Sequence, residues 1–147
     1  MEAIIFCGIQ ASGKTTFYSH HFLQTHLRIS MDLLRTRHRE KKFLDLCLQA
    51  GQRFVIDNTN PTAEERRRYI EPALAARFRL TGFYFETSMG EAIRRNAGRT
   101  GKARIPAKGI GGTRKRLEVP LLSEGFERLY KVQLQPNNFF SVEELYQ

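Results

Sequence analysis

The chain has 147 residues, of which 41% are hydrophobic, and carries 24 Lys and Arg against 15 Asp and Glu. This length suits a single domain, over residues 1–147, that buries roughly two-thirds of its extended surface. The apolar runs are too short to span a bilayer, and the N-terminus lacks the pattern of a secretory signal. Two cysteines do not suggest a disulfide framework. We therefore expect a cytoplasmic protein without a membrane partner, and the sequence leaves its oligomeric state open.

The first predicted strand, residues 4–7, leads directly into the sequence GIQASGKT at residues 8–15. This octapeptide fits the phosphate-binding pattern G-x-x-x-x-G-K-[ST], which requires a strand before it and a helix after it. Residues 14–23 can form that helix. A chance match in a chain of this length is on the order of one in a few hundred. The sequence therefore predicts a nucleoside triphosphate site at its N-terminus.

The residue types of this loop indicate how it would bind ATP and Mg²⁺. Gly8 and Gly13 permit positive φ, so that successive backbone N–H groups can point at the β-phosphate. Lys14 is expected to reach the β- and γ-phosphates, and the Thr15 hydroxyl to bind Mg²⁺. The residues that we assign to ATP are Gly8, Gln10, Ala11, Ser12, Gly13, Lys14, Thr15 and Thr16, together with Arg99 further along the chain.

Strand-length apolar runs then alternate with helical stretches, as in a parallel sheet with helices on both faces. Further strands are predicted at residues 26–29, 53–56, 78–86 and 129–134. Helices are predicted at 30–49, at 62–76 behind a capping box of Thr62 and Glu65, and from Ser88 onward. A turn at 136–138 and a short tail end the chain. The loops after the strands converge on one edge of such a sheet, where ligands bind.

Asp32 and Arg35 stand one helical turn apart at the end of the second predicted strand. A carboxylate here can accept the proton of a hydroxyl acceptor, while an arginine can clamp a neighbouring phosphate. Alternatively, Asp32 caps its helix and Arg35 is a surface cation. Position alone leaves both interpretations open.

Asp57 ends the apolar strand at 53–56 in the manner of a carboxylate that holds Mg²⁺. Its alternative role is a helix or Asx-turn cap. Arg66, Arg67 and Arg68 follow on the next helix and could meet substrate phosphates, although a solvated face suits at least two of the three.

A basic stretch occupies residues 94–116, which we call the lid. It contains nine cations and no acidic residue, and so accounts for the whole net charge of +9. Such segregation suggests a polyanionic partner, either nucleotide phosphates or a nucleic-acid backbone, although a solvated face is the alternative. The cations are Arg94, Arg95, Arg99, Lys102, Arg104, Lys108, Arg114, Lys115 and Arg116.

Several segments in order resemble the small P-loop kinases related to the 5'-hydroxyl polynucleotide kinases of nucleic-acid end-healing enzymes. These segments are GIQASGKT at 8–15, ISMDLLR at 29–35, VIDNTNP at 55–61, RNAGR at 95–99 before Ile105-Pro106, LEVP at 117–120 and EGF at 124–126. Together they cover about residues 1–134. The loop alone would be weak evidence for this family, whereas the ordered set is fairly specific.

The resemblance implies a five-stranded parallel sheet in the order 2-3-1-4-5 with a basic helical lid. It also implies that Asp32 is the general base on a 5'-hydroxyl, that Arg35 binds the acceptor's 3'-phosphate and that Arg99 is the lid arginine. Lys14 and Thr15 would handle ATP and Mg²⁺, with Asp57 supporting the Arg35 and metal region. The residues assigned to the acceptor are Asp32, Arg35, Asn58, Asn60 and Arg66.

Two features depart from the family pattern. Residues 108–112 are richer in glycine than a lid helix should be, which predicts a looser lid. The chain also contains no phosphatase or ligase module, so we expect it to perform the kinase step alone or beside separate proteins.

Three functions remain open from the sequence. The first is an ATP-dependent kinase of DNA or RNA 5'-hydroxyl ends, which the basic lid favours. The second is a kinase of a small metabolite, nucleoside or nucleotide sugar, in which the lid serves ATP only. The third is a nucleotide-dependent nucleic-acid-binding module with little turnover.

Overall fold

A computed structural model describes residues 1–101 and 104–147 and contains one six-stranded sheet in the order β2-β3-β1-β4-β5-β6. The first five strands are mutually parallel, and β6 is antiparallel to β5. The predicted α/β P-loop architecture and the order 2-3-1-4-5 are therefore confirmed. The strands are β1 (Glu2–Gly8), β2 (Leu27–Ile29), β3 (Phe54–Ile56), β4 (Arg79–Phe85), β5 (Arg128–Leu134) and β6 (Phe140–Leu145).

Six helices surround this sheet in the described ranges, and a short 3-10 helix covers Leu122–Glu124. The capping box predicted before the fourth helix is present. The Thr62 hydroxyl accepts from the Glu65 N–H at 3.1 Å, and the Glu65 carboxylate accepts from the Thr62 N–H at 3.3 Å. The helices are α1 (Lys14–His21), α2 (Met31–Leu34), α3 (Arg37–Ala50), α4 (Ala63–Ala75), α5 (Met89–Ala97) and α6 (Ala107–Arg116).

The expected tail is instead the sixth strand. Backbone bonds close the turn at 135–139, where the Gln135 N–H donates to the Phe139 carbonyl at 2.7 Å. Phe140 then packs edge-on against Phe17, with ring centroids 5.2 Å apart. The prediction missed β6 because only Phe140 and Leu145, at its two ends, pack on the core, whereas residues 141–143 between them are exposed and leave no apolar alternation.

The helix predicted at 30–49 is two helices. Arg35 ends α2 with a φ of 72°, a conformation that is uncommon for a residue with a side chain. The Thr36 hydroxyl then accepts from the Arg39 N–H at 3.2 Å and begins α3. Because of this break, the start of α2 faces the phosphate-binding loop that precedes α1, while α3 packs on the sheet.

Helices cover both faces of the sheet, and successive side chains of β1 point alternately into the two cores that result. Ala3 and Ile5 belong to the core beneath α3 and α4, whereas Ile4 and Phe6 belong to the core beneath α1. With both faces covered, the carboxyl ends of the strands are left as the open edge of the fold.

The lid contains the end of α5 and the whole of α6, and its residues Lys102 and Ala103 lie outside the described residues. The glycine-rich segment 108–112 is helical despite its composition. Ile110 is fully buried in a small core with Ile9 and Ala92, so packing outweighs the poor helix propensity of three glycines. In the described ranges, the helices are too short and too polar to cross a membrane.

Arg66 lies inside this fold rather than on its surface. Its side chain has no exposed area, and its Nε and Nη2 donate to the two oxygens of Glu124 at 2.8 and 3.0 Å. Its Nη1 donates to the Asn60 carbonyl at 2.8 Å. The expectation that Arg66 meets substrate phosphates is therefore wrong for geometric reasons, because the guanidinium joins α4 to the segment before β5.

We expect Glu124→Ala to destabilise the fold strongly. It leaves the buried Arg66 guanidinium without its counter-ion, which typically costs about 3–5 kcal/mol. Urea unfolding followed by circular dichroism measures this loss. Arg67→Ala, on the exposed side of the same helix, is the control and should change the unfolding free energy by less than about 0.5 kcal/mol. Equal stability of the two variants would contradict this role of the ion pair.

Candidate active site

The phosphate-binding loop connects β1 to α1 in a strained, Gly-dependent conformation. The Gly8 N–H donates to the Thr59 carbonyl at 2.9 Å, and a Cβ at Gly8 would lie 2.8 Å from the Cβ of Phe85. Ala11 has a φ of 61°, and Gly13, which precedes α1, has a φ of 94°. The loop thus wraps around the N-terminus of α1, where backbone N–H groups and the helix dipole favour an anion.

The Lys14 side chain folds back into the phosphate-binding loop. Its Nζ donates to the carbonyls of Gly8 and Ile9 at 3.0 and 2.9 Å. Burial lowers the pKa of Lys14 from 10.5 to about 8, and the nearby charge of Asp57 partly opposes the shift. The ammonium group is held by carbonyl oxygens where a phosphate oxygen could replace them.

Thr15 and Asp57 come together as the sequence predicts. The Thr15 hydroxyl donates to Oδ2 of Asp57 at 2.9 Å, and the Asp57 side chain is only 2% exposed. A hydroxyl and a carboxylate at a phosphate-binding loop are the oxygen donors that Mg²⁺ prefers. The two residues therefore fit the metal assignment, and the alternative of Asp57 as a simple turn cap does not describe its bonds.

Arg28 is a site residue that the sequence analysis missed. Its Nε donates to Oδ2 of Asp57 at 2.8 Å, and its Nη2 lies 3.3 Å from the Thr15 hydroxyl. The guanidinium thus neutralises the buried carboxylate at the same oxygen that Thr15 uses. The sequence did contain a signal for this role: Arg28 is a charged residue inside a very short strand, next to the buried Ile29.

Asp32 lies in the same cleft as the loop. The cleft has a volume of about 550 Å³ and is lined by residues of the loop, of β2 and α2, and of the segment after β3. Ser30, rather than Asp32, caps α2, because its hydroxyl accepts from the Asp32 N–H at 3.2 Å. The Asp32 carboxylate is exposed and is therefore available to a ligand. The cleft is lined by Gln10, Ala11, Ser12, Gly13, Lys14, Thr15, Thr16, Arg28, Met31, Asp32, Arg37, Asp57, Asn58, Thr59, Arg99 and Ile105.

Arg37, rather than Arg35, lines this cleft. Arg35 is exposed at the turn between α2 and α3, where its backbone conformation ends α2. The Nη1 of Arg37 donates to Glu40 at 2.8 Å and to the Tyr69 hydroxyl at 3.0 Å. The structure thus places Arg37, two positions further along the chain than the sequence analysis expected, on the cleft that contains Asp32.

The two asparagines assigned to the acceptor have different positions. Asn58 lines the cleft, where its Oδ1 accepts from the Met31 N–H at 2.9 Å and its Nδ2 donates to Glu40 at 2.9 Å. Asn60 is buried, and its Nδ2 donates to the Phe6 carbonyl at 2.8 Å. Asn60 therefore joins β1 to the segment before α4 and does not reach a substrate, which corrects its assignment.

The lid meets the phosphate-binding loop through polar contacts. Arg99 lines the cleft, and its charge acts on Lys14. Gln10 Nε2 donates to the Thr113 hydroxyl of α6 at 3.0 Å, and Arg95 Nη1 donates to the Ala11 carbonyl at 3.3 Å. These bonds place the basic segment over the loop, in the position that a nucleotide-binding lid requires.

The lid is also anchored from within. The amide of Asn96, at the end of α5, bonds both the N–H and the carbonyl of Ile105, the former at 2.7 Å. Sequence reasoning assigned no role to Asn96, although it is 5% exposed and therefore needs polar partners. These two bonds link the end of α5 to Ile105, just before α6.

Sheet order, phosphate-binding loop and lid together define a kinase-like P-loop domain. A family model described as an AAA domain matches residues 4–120, and the chain belongs to this family. The chain is 27% identical over 135 residues to the bifunctional polynucleotide phosphatase/kinase of Schizosaccharomyces pombe. This alignment covers 89% of the chain. The chain spans 33% of the length of that relative. The resemblance to kinases related to polynucleotide kinases is confirmed.

Solved structures share the fold at low sequence identity. Kti12 of Chaetomium thermophilum, in complex with ADP-AlF3, superposes with a TM-score of 0.67 at 18% identity and covers 92% of each chain. A gluconokinase of Sinorhizobium meliloti superposes with a TM-score of 0.63, also at 18% identity, over 92% of this chain and 84% of its own. At this identity the likeness establishes the architecture.

We expect nucleotide affinity to weaken as the pH rises through about 8. Bound phosphates favour the protonated Lys14, whose pKa in the free protein is lowered to about 8. At one pH unit above that value the cost is about tenfold in the dissociation constant of Mg-ADP. Calorimetric titration at pH 7, 8 and 9 measures it. Lys14→Met should bind weakly at each pH without this slope, and the same slope in that variant would contradict the assignment.

We expect Arg28→Gln to lower stability by about 3 kcal/mol when Mg²⁺ is absent, because Asp57 keeps a buried charge without its counter-ion. Mg²⁺ with ADP should restore more stability to this variant than to the wild type. Thermal unfolding with and without Mg-ADP tests both expectations. Arg53→Gln, with an exposed arginine before β3, is the control. Equal gains from Mg-ADP in all three proteins would overturn the role of Arg28.

Proposed function

We propose that the protein is an ATP- and Mg²⁺-dependent kinase that transfers the γ-phosphate to a 5'-hydroxyl end of DNA or RNA. The observation that carries this proposal is the position of Asp32, an exposed carboxylate on the same cleft as Lys14 and the pair of Thr15 and Asp57. A nucleotide on the loop and a hydroxyl beside Asp32 would meet inside one cavity.

The roles of the residues follow from their positions. The N–H groups of the loop and the ammonium of Lys14 bind the triphosphate, and Arg99 adds positive charge where the transferred group is most negative. Asp32 accepts the proton of the acceptor hydroxyl as its oxygen attacks the γ-phosphorus and ADP leaves. Thr15 and Asp57 would hold Mg²⁺, which neutralises phosphate charge when bound.

The polynucleotide acceptor is supported by two observations. The relative that is 27% identical is named for a polynucleotide kinase activity beside its phosphatase. The cleft that contains Asp32 is also lined by Arg37, which borders a neighbouring groove as well, so a second phosphate could be bound there beside the reacting hydroxyl. A small phosphorylated alcohol would use the same two side chains, so the acceptor has to be identified by experiment.

The test is transfer of labelled γ-phosphate from ATP to 5'-hydroxyl oligonucleotides of DNA and RNA. We expect transfer by the wild type, loss in Lys14→Ala, and a decrease in kcat of about 100- to 10,000-fold in Asp32→Asn, which removes the base but keeps the size of the side chain. Arg35→Ala tests whether the turn residue or Arg37 serves the acceptor. We expect Arg37→Ala to raise the KM for the oligonucleotide more than Arg35→Ala does.

Three outcomes would contradict this proposal. Absence of transfer to both nucleic acids, together with intact ATP binding, would indicate a small hydroxyl acceptor. Strand binding without transfer in the wild type, unchanged in Asp32→Asn, would indicate a binding module. Full activity of Asp32→Asn would remove the general-base assignment.

A further inference from the structure

A second cavity lies next to the proposed active site, in the groove between α3 and α4. Its volume is about 280 Å³, close to the lower end of the range for small-ligand pockets, about 300 Å³. The groove therefore suits one nucleoside-sized group rather than a folded partner. None of the roles assigned above uses this cavity.

The groove has an apolar floor and a cationic rim. Leu44 of α3 and Tyr69 and Pro72 of α4 line it together with Arg37, Lys41 and Arg68. Positions 37, 41 and 44 lie on one face of α3, and 68, 69 and 72 lie on one face of α4, so the two helices present these side chains to each other. An apolar floor with cations at its edge is suited to a nucleobase whose phosphates stay near solvent.

The groove and the cleft share Arg37. The wall between them is a hydrogen-bonded network in which Glu40 accepts from Arg37 at 2.8 Å, from Asn58 at 2.9 Å and from the Tyr69 hydroxyl at 3.0 Å. The bonds from Arg37 to Glu40 and Tyr69 both use Nη1, so a phosphate can be bound through the Nε and Nη2 edge. Arg37 is thus held in place at the junction of the two cavities.

The acidic residues of the groove do not cancel its charge. Glu40 is 2% exposed and turned into the network, and Asp45 is bonded to Lys41 at 2.9 Å on the surface. Surface pairs of this kind are worth little and exchange readily for a phosphate partner. The rim therefore offers cations to an anionic chain that leaves the cleft past Arg37.

We propose that this groove binds the second nucleotide of the acceptor strand. The phosphate between the first and second nucleotides lies on Arg37, the second base rests on Leu44, Tyr69 and Pro72, and the following phosphate lies between Lys41 and Arg68. This assignment rests on the proposed function, and it explains how a strand would be bound more tightly than a single nucleotide at the same reacting site.

The test compares acceptors of different length in the transfer assay. A nucleoside 3'-monophosphate reaches only Arg37, whereas a 5'-hydroxyl trinucleotide also occupies the groove. The groove variant is Lys41→Ala with Arg68→Ala. Its matched control is Lys42→Ala with Arg67→Ala, which removes the same two charges from the same helices outside the groove. All four side chains, Lys41, Lys42, Arg67 and Arg68, are exposed, so both double variants should fold.

We expect the wild type to have a lower KM for the trinucleotide than for the nucleoside 3'-monophosphate. The groove variant should raise the trinucleotide KM about tenfold, as expected for the loss of charge-assisted bonds, and weaken its salt dependence. Its KM for the monophosphate and for ATP should equal that of the control. This split separates the groove from a general effect on folding or on net charge.

Equal trinucleotide KM values in the groove variant and the control would overturn the groove assignment and leave the proposed function standing. A rise that is equal for both acceptors would also overturn it, because the effect would then lie in the cleft. If the wild type transfers phosphate to neither acceptor while it binds ATP, the proposed function fails, and the groove assignment fails with it.

Discussion

The carboxylate of Asp57 is the group on which the arrangement of the active site depends. It lies at the end of β3 with a side chain that is 2% exposed, and a buried charge of this kind is tolerated only when it is paired. Its partners come from two other elements, Thr15 at the start of α1 and Arg28 in β2. The pairing thus fixes the loop, the second strand and the third strand relative to one another at the open edge of the sheet.

The side of the cleft that we propose for the acceptor is organised by a second buried carboxylate. Glu40 of α3 accepts hydrogen bonds from Arg37, Asn58 and Tyr69, which belong to the start of α3, the segment after β3 and the middle of α4. Together these bonds satisfy the Glu40 carboxylate, which would otherwise be costly to bury. The network therefore positions Arg37 at the cleft through two bonds from its Nη1, while the loop carbonyls position Lys14.

The sequence was sufficient for the features that local patterns encode. The octapeptide at 8–15 required a strand and a helix on either side, and the capping box at Thr62 marked the start of α4. The sequence was insufficient where a long-range contact or a backbone conformation determines the position of a side chain. The choice of Arg37 over Arg35 depends on the positive φ at Arg35, and the inward turn of Arg66 depends on Glu124, 58 residues away. Residue types alone reveal neither the pairing of Arg66 with Glu124 nor the positive φ of Arg35.

The charges of the cleft explain why a phosphorylated ligand has to complete it. Lys14, Arg28, Arg37 and Arg99 line the cleft with only Asp32 and Asp57 against them. Arg28 is matched by Asp57 and Arg37 by Glu40, but Lys14 rests on neutral carbonyl oxygens, which burial makes poor substitutes for an anion. Under the proposed function, a triphosphate would supply negative charge at the loop, and a phosphate on the acceptor would supply it at Arg37. The exposed Asp32 lies in the same cleft, where, under the proposed function, it would meet the acceptor hydroxyl beside the triphosphate.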